Sequence, residues 1–550
     1  MGLSGKRVRD LTIELARINS VVGSKGESTI AKRIYEILGN LEYFRRNRDC
    51  LSLVSTMEDN IQRRSVLAVL KGQKDTNHNA VVVIGHTDTV GVSDYGDIAE
   101  FATKPEVLAE KLKNLTLSEE ARSDLESGAY LFGRGVLDMK SGVSILIAVI
   151  EELARDVENL SGNIIFAAVC DEEGNSKGML SIVPELVMLQ KENDFNYLCV
   201  VDTDYTAPRF RNDEGRYLYV GTVGKIMPSF YCVGKETHVG DPFGGLDANE
   251  LASSLVEEIN LNTKYSDEVE GEVSVPPITL KLGDFKPEYS VQTNRVSHVY
   301  FNFSTHVSTP DMVLEKLRTG SLEAFSRVIN KLNGQYALYC EKTGFPFGTL
   351  PWKPRVITFS ELYTLVHEEK GEELEGILSE LTQRLMMDRS IEERVFASRI
   401  VQEVHRMWSD KDPVIILYFS PPYYPHIYVE GKTDKERKLL LTLENVVASR
   451  RPDGYDIRTR KFYPYISDLS YVSLPRPEAV EKLKVNMPGY GTAYTLPLES
   501  MELLDLPVCN LGTFGKDAHQ FTERVQEDYS FHVIPDLVLE TIISLLRSES

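Results

Sequence analysis

The sequence is poor in cysteine, and the cysteines that it has are isolated from one another. Six of them are scattered through 550 residues without a CxxC pair. This spacing excludes a short disulfide framework and predicts free thiols in a reducing cytoplasm. The sequence also lacks an apolar leader near its N-terminus, and its most apolar helical stretch is too short to cross a bilayer. We therefore expect neither export nor membrane insertion.

Positive charge is scarce in relation to negative charge. The 61 lysines and arginines compare with 82 aspartates and glutamates, which gives a formal net charge of -21 at pH 7. A chain with this charge repels phosphate backbones and anionic lipids, so a nucleic-acid or membrane partner is not expected. The content of 42% hydrophobic and 26% charged residues is that of a globular protein, and a length of 550 residues predicts two or more domains.

A run of β-branched residues, AVVVIGHTDTV at 80–90, ends abruptly in polar residues. The apolar part is typical of a strand buried on both faces, as in the parallel sheets of α/β proteins. The polar residues therefore fall where such folds place their chemistry. His86 and Asp88 share one side of an extended chain, so an imidazole can bind a metal beside a carboxylate that orients its ring. The His-x-Asp pattern alone is too short to establish a metal site.

Two further apolar strands end in acids. NIIFAAVCDEE at 163–173 ends in three consecutive carboxylates, and YLCVVDTD at 197–204 ends in two aspartates. Asp138 precedes an apolar helix expected from about residue 141 to 154, where free N–H groups favour a carboxylate. Solvation of a charged surface run and simple helix capping are the alternative interpretations. Together, the oxygen and imidazole groups suit zinc, manganese or cobalt.

The pattern of apolar and polar residues predicts four segments along the chain. Residues 1–220 form the first part of an α/β domain, and 221–340, with a strand, a helix, two strands and a helix, form an inserted α+β domain. Residues 341–412 are strongly helical and acidic and form a helical insertion. The buried-strand pattern PVIILYF at 413–419 predicts that the α/β domain resumes there and continues through 413–550.

The order of the motifs resembles a known family, the dinuclear zinc amidohydrolases and exopeptidases that include acetylornithine deacetylase, succinyl-diaminopimelate desuccinylase, aminoacylase and glutamate carboxypeptidase. The matching segments, spread over nearly the whole chain, are GHTDTV (85–90), GRGVLDMKSG (133–142), DEEGNSKG (171–178), GKETHVGDP…DAN (234–249) and GKDAH (515–519). The length of the chain and its DTDYTAP segment are most similar to a longer, arginine-utilisation branch. The resemblance implies an α/β zinc-exopeptidase-like fold, with an α/β/α catalytic domain and an inserted α+β lid or dimerisation domain.

The resemblance also implies two divalent metals per chain, for which zinc is expected and manganese or cobalt is an alternative. One metal would take the ligands His86, Asp138 and Asp202, and the other would take Asp138, Glu173 and His519. Asp138 would bridge the two metals. For the ligand after the third strand, Asp202 is preferred to Asp204 because Val200-Val201-Asp202 continues the strand directly.

Three catalytic roles are implied by the same resemblance. Asp88 would orient His86, and Glu172 would be the general base on a water held between the metals. A metal-bound carboxylate is a poor base, so adjacent acids can differ in role only if one is held off the metals. His238 matches a lid histidine that reaches across to the partner subunit's active site in dimeric relatives and stabilises the oxyanion. A homodimer is therefore expected.

Two departures limit what the resemblance implies. Many relatives carry a lid segment with an asparagine, a proline and a downstream arginine that binds the substrate carboxylate. The comparable segment here, SVQTNRVSHVYFNFST at 290–305, lacks this pattern, so the identity of the substrate stays open. The helical insertion at 341–412 has no counterpart in shorter relatives. It could cover the cleft, alter the dimer or decorate the surface.

The sequence thus predicts a metal-dependent hydrolase that cleaves an amide bond in a small N-acylated amino acid or peptide, with arginine catabolism as a candidate setting. The alternative is a catalytically silent, dimeric binding protein that keeps the fold and the metal. The enzyme is preferred because the ligand set and Glu172 are all present.

Overall fold

The structure, a computed structural model, describes residues 3–57, 59–286, 288–388, 390–450, 454–474 and 476–547. The chain divides into two compact units. Unit 1 comprises Met1–Thr222, Ile427–Leu474 and Pro497–Ser550, and unit 2 comprises Val223–His426 and Pro475–Leu496. The chain therefore leaves unit 1 for unit 2 twice.

The strands, in chain order, are β1 (Leu51–Ser55), β2 (Arg64–Lys71), β3 (Asn79–His86), β4 (Tyr130–Phe132), β5 (Asn163–Val169), β6 (Asn196–Asp202), β7 (Arg216–Tyr219), β8 (Gly221–Thr222), β9 (Gly224–Val233), β10 (Glu268–Val269), β11 (Glu272–Val273), β12 (Ile278–Asp284), β13 (Val296–Thr305), β14 (Val356–Thr358), β15 (Val414–Tyr424), β16 (Ile427–Tyr428), β17 (Ile457–Arg460), β18 (Val508–Asn510), β19 (Gly515–Lys516) and β20 (Arg524–Gln526).

The α-helices are α1 (Gly5–Ala16), α2 (Gly26–Gly39), α3 (Glu42–Arg46), α4 (Pro105–Leu112), α5 (Glu119–Ser127), α6 (Lys140–Arg155), α7 (Lys177–Asn193), α8 (Ala248–Ile259), α9 (Pro310–Thr343), α10 (Phe359–Lys370), α11 (Glu372–Met387), α12 (Glu393–Met407), α13 (Asp434–Arg450), α14 (Pro477–Val485), α15 (Leu498–Leu504) and α16 (Ile534–Leu546).

An eight-stranded mixed sheet forms the centre of unit 1, in the order β1-β2-β5-β3-β6-β18-β7-β17. β3 lies between β5 and β6 and is parallel to both, and its residues from Ala80 to His86 are buried. Helices α6, α7, α13 and α16 pack against these strands. The predicted α/β fold and its central buried strand are confirmed.

Among the described residues, the stretch Tyr529–Leu546, which contains α16, is long and apolar. By length and composition this stretch could cross a bilayer, whereas the sequence led us to expect only shorter apolar helices. In the structure 72% of it is buried within the protein. Burial of that extent is typical of a core helix. A core helix can match a membrane span in length and composition.

Unit 2 contains a five-stranded sheet in the order β12-β13-β9-β15-β14. β15 pairs with β9 in antiparallel register, with Leu417 opposite Phe230, and with β14 in parallel register. The prediction that 413–419 returns to the first domain was therefore wrong. An apolar run indicates that a strand is buried, but it does not indicate which sheet contains that strand.

Helices α10, α11 and α12 occupy most of the segment that the sequence presented as a separate insertion. Their side chains Leu362, Leu374 and Val401 belong to one apolar cluster together with Ile416 of β15. These helices therefore cover the sheet of unit 2 and are part of its core. The second passage of the chain through unit 2 carries α14.

We expect Leu417→Ala to lower the free energy of unfolding by about 2–5 kcal/mol, because Leu417 is fully buried (0% exposed) and its truncation leaves a cavity. Leu338→Ala is the matched control, since Leu338 is 49% exposed. Urea unfolding of both variants checks this expectation. Equal stability of the two variants would contradict the burial of Leu417 in β15.

Candidate metal centre

Three parallel strands of unit 1 end at one edge of the sheet. In the register, His86 of β3 lies opposite Val169 of β5, and Ile84 of β3 lies opposite Asp202 of β6. Because the carboxyl ends of parallel strands meet at the same edge, the polar residues that follow each strand are brought together. This is the arrangement that the acid-ending strands predict.

His86, Asp138 and Asp204 form the first group of metal-binding side chains. One ligand atom of each lies within 4.8 Å of the others, and all three residues are buried. The Nε2 atom of His86 is 2.9 Å from Oδ1 of Asp138. His86 ends β3, and Asp138 lies two residues before α6. The backbone of both residues is therefore held by regular secondary structure.

Asp138, Glu173 and His519 form a second group with the same mutual separation. The Nε2 atom of His519 is 3.0 Å from Oδ2 of Asp138 and 2.9 Å from Oε1 of Glu173. Asp138 thus presents one oxygen to His86 and the other to His519. A carboxylate in this position can bridge two metals.

The electrostatics of these groups fit divalent cations. Burial raises the pKa of Asp204 well above its ordinary range, and the charge of Asp138 raises it further. Hydrogen bonds with Asp138 and Glu173 raise the pKa of His519 to about 10. Imidazole and carboxylate ligands must lose their protons to bind a metal, and a bound cation would compensate the same negative charges. The oxygen and nitrogen donors suit zinc, manganese or cobalt.

The three consecutive acids that follow β5 have three different partners. Asp171 forms an ion pair with Arg63. No sequence motif predicted this ion pair. Glu173 contacts His519 in the second ligand group. Glu172 belongs to neither group, and its Oε2 is 3.9 Å from Nε2 of His86. The three acids therefore differ in their contacts, and the run is not solvated as a whole.

Asp88 contacts the backbone of the acidic run more closely than it contacts the imidazole. Its Oδ1 and Oδ2 accept hydrogen bonds from the backbone N–H groups of Glu172 (3.1 Å) and Glu173 (3.0 Å). The Nδ1 atom of His86 is 3.2 Å from the carbonyl oxygen of Asp88 and 3.7 Å from its Oδ1. Asp88 therefore lies beside the ring, as expected, and also holds the neighbouring turn.

Asp202 and Asp204, at the carboxyl end of β6, differ in their contacts from what the sequence favoured. Asp204, rather than Asp202, lies in the group with His86 and Asp138. Asp202 is the last residue of β6, and its carboxylate accepts hydrogen bonds from Ser467 Oγ (2.9 Å) and the backbone N–H of Thr203 (2.7 Å). The continuous strand pattern favoured Asp202, but the chain needs two more residues beyond the strand to reach the ligand group.

Two acids at this site were not recognised as functional from the sequence. Glu523 is fully buried and accepts backbone N–H groups from Leu137 (3.2 Å) and Asp138 (3.4 Å). Its position four residues after His519 was the one available signal. Asp468 is also buried and lines the same narrow cleft as the side chains His86, Glu172, Asp202 and Asp204. No motif pointed to Asp468.

His238 lies in unit 2, in the loop between β9 and α8. It is exposed, and its Nδ1 accepts a hydrogen bond from the backbone N–H of Gly240 (3.0 Å). Its action on an active site stays a prediction.

Two ligand groups that share one carboxylate, at the carboxyl edge of an α/β sheet, define a metal-dependent hydrolase. Residues 82–509 match peptidase family M20/M25/M40, and the chain belongs to this family. The family resemblance and the enzyme class predicted from the motifs are confirmed: the protein is a metallohydrolase that acts on C–N bonds.

Similarity to individual proteins extends over most of the chain. It is 32% identical to protein RocB of Bacillus subtilis over 545 residues, which are 99% of this chain and 95% of that protein. It is 24% identical over 272 residues to succinyl-diaminopimelate desuccinylase of Vesicomyosocius okutanii, covering 49% of this chain and 62% of that protein. Aminopeptidase PepT of Bacillus cereus has a similar fold, with a TM-score of 0.53 at 11% identity over 99% of this chain and 100% of that chain.

Replacement of the two aspartates after β6 separates their roles. Asp204→Asn should lower the content of bound zinc, because it removes a charged ligand from the first group. Asp202→Asn should retain zinc, since its carboxylate contacts Ser467 and Thr203 instead. Elemental analysis of zinc-reconstituted proteins measures this difference, and the opposite order of zinc loss would restore Asp202 as the ligand.

Proposed function

We propose that the protein hydrolyses an amide bond in a small N-acylated amino acid or peptide, with two divalent metals bound at the paired ligand groups. The observation that carries this proposal is that Asp138 belongs to both groups, one oxygen facing each histidine. His86 and Asp204 would hold one metal, Glu173 and His519 would hold the other, and zinc is the preferred ion. Manganese and cobalt suit the same ligands.

The chemistry is divided between the metals and Glu172. Bound metals supply a Lewis acid for the scissile carbonyl and lower the pKa of the attacking water. Glu172, which lies outside both ligand groups, takes the proton from that water and delivers it to the leaving nitrogen. Burial and the charge of Glu173 raise the pKa of Glu172 against the opposing effect of His86.

We place the substrate in arginine catabolism in the cytoplasm. The length of the chain and its DTDYTAP segment support this assignment, as does the similarity to RocB over nearly the full length of both proteins. The isolated cysteines support a reducing compartment. A panel of N-acyl amino acids, dipeptides and arginine-derived amides, tested with zinc, manganese and cobalt, would identify the substrate.

We also propose that the active form is a homodimer joined through unit 2. β12 lies at the end of the five-stranded sheet, where it pairs with β13 on one side. Its side chains Ile278 (42% exposed), Leu280 (51%) and Leu282 (48%) are exposed on either side of a bulge between Thr279 and Lys281. An exposed apolar edge strand is a template for pairing with a second chain, and a second copy would cover it.

Glu172→Gln should lower kcat by at least about 100-fold on a substrate identified by the panel, because the amide cannot accept the proton of the attacking water. The variant should keep its metal content, whereas Glu173→Gln should lose both metal and activity. Steady-state kinetics combined with elemental analysis measures both effects. Loss of metal from the Glu172 variant alone would reverse the two assignments, and unchanged turnover would defeat the proposed mechanism.

A mixed dimer tests whether His238 acts between subunits. His238→Ala should bind metal normally but be nearly inactive, since one lost donor to an oxyanion costs about 3–4 kcal/mol. A heterodimer of His238→Ala with Glu172→Gln has one site with intact metals and base that receives His238 from the partner, so activity should return. A verified heterodimer that remains inactive would rule out this mechanism.

A further inference from the structure

The backbone of the acidic run after β5 is held at three consecutive N–H groups by buried carboxylates. Asp171 donates its backbone N–H to Oε1 of Glu27 (3.0 Å). Glu172 and Glu173 donate theirs to the two oxygens of Asp88, at 3.1 and 3.0 Å. Both Glu27 and Asp88 are 0% exposed. Each N–H of the run therefore has a buried carboxyl acceptor that bulk water cannot replace.

Glu27 belongs to a segment that also holds the loop after β3. Its Oε2 accepts the backbone N–H of Gly23 (2.7 Å), which fixes the start of α2. In the same segment, Ser20 donates its hydroxyl to the carbonyl of Thr87 (2.7 Å) and accepts the N–H of Thr89 (3.1 Å) through its backbone oxygen. One segment near the N-terminus thus contacts both the His86 loop and the acidic run.

The burial of Glu27 is costly for the folded protein. Burial and the neighbouring charge of Asp88 raise the pKa of Glu27 to about 8, and Arg63 opposes this rise. The guanidinium of Arg63 lies 3.7 Å from Oε2 of Glu27 and also pairs with Asp171. The free energy needed to remove a carboxylate from water can exceed the free energy gained from such an ion pair. Stability alone therefore does not explain an acid at this position.

We propose that Glu27 is a positioning residue for the hydrolytic reaction: it fixes the backbone of residues 171–173 so that Glu172 faces the attacking water while Glu173 faces a metal. This inference rests on the proposed function of Glu172 and Glu173. Glu27 acts through Asp171 and touches neither substrate nor metal. Its contribution is the orientation of the turn, since a carboxylate can accept two N–H groups where an amide side chain offers one oxygen.

Glu27→Gln tests this role in the full-length, zinc-loaded protein. We expect kcat to fall by about 10- to 100-fold, the usual effect of removing a group that orients a ligand or base. Zinc affinity should fall together with kcat, because Glu173 lies on the same turn as Glu172. Glu36→Gln is the matched control, since Glu36 lies on the same helix and is exposed. It should behave as wild type in every measurement.

Hydrogen exchange measured by mass spectrometry adds a readout that does not depend on turnover. In Glu27→Gln, exchange in a peptide covering residues 171–176 should be at least about tenfold faster than in wild type, while exchange in β5 should be unchanged. Unchanged exchange in residues 171–176, or faster exchange with unchanged kcat, would overturn the proposal. Should Glu27→Gln fail to fold, Glu27→Asp keeps the charge with a shorter reach and is judged by the same two measurements.

Failure of the proposed function would be visible separately. It would show as an inactive wild-type protein or as full activity in Glu172→Gln, before any Glu27 variant is compared.

Discussion

The carboxylate of Asp138 lies between two imidazoles, one oxygen 2.9 Å from His86 and the other 3.0 Å from His519. This contact joins the end of a central strand to a loop more than 400 positions along the sequence. The remaining carboxylates, Glu173 and Asp204, are placed around it in two groups. So many acids can remain ionised together in a buried site only when cations compensate them, which fits the two metals proposed for this site.

Two loops of the site are each held through their backbone by a buried acid. Glu523 accepts the N–H groups of Leu137 and Asp138, and Asp88 accepts those of Glu172 and Glu173. Side chains that bind a metal need this support, because a small displacement changes both metal affinity and the reach of the base. The backbone of these two loops is thus held by carboxylates that lie outside the two ligand groups.

The strand ends and most of the candidate ligands could be predicted from the sequence. A continuous apolar run that stops at His86 or at Asp171 marks both a buried strand and the polar residues beyond it. The choice between Asp202 and Asp204 was not accessible in this way, because it depends on how far the chain continues past the strand. Nor could the sequence show which sheet contains 413–419, or that Arg63 and Glu27 contact the acidic run. Those contacts join positions far apart in the chain, and the local periodicity of apolar residues does not indicate them.

The central claim is that Asp138 holds two metals at once. Anomalous diffraction from crystals of the zinc-loaded protein tests it most directly. We expect two peaks about 3.5–4 Å apart, one beside His86 and the other beside His519, with an oxygen of Asp138 at each. A single peak at full occupancy, or two peaks of which one has no contact with Asp138, would contradict the account.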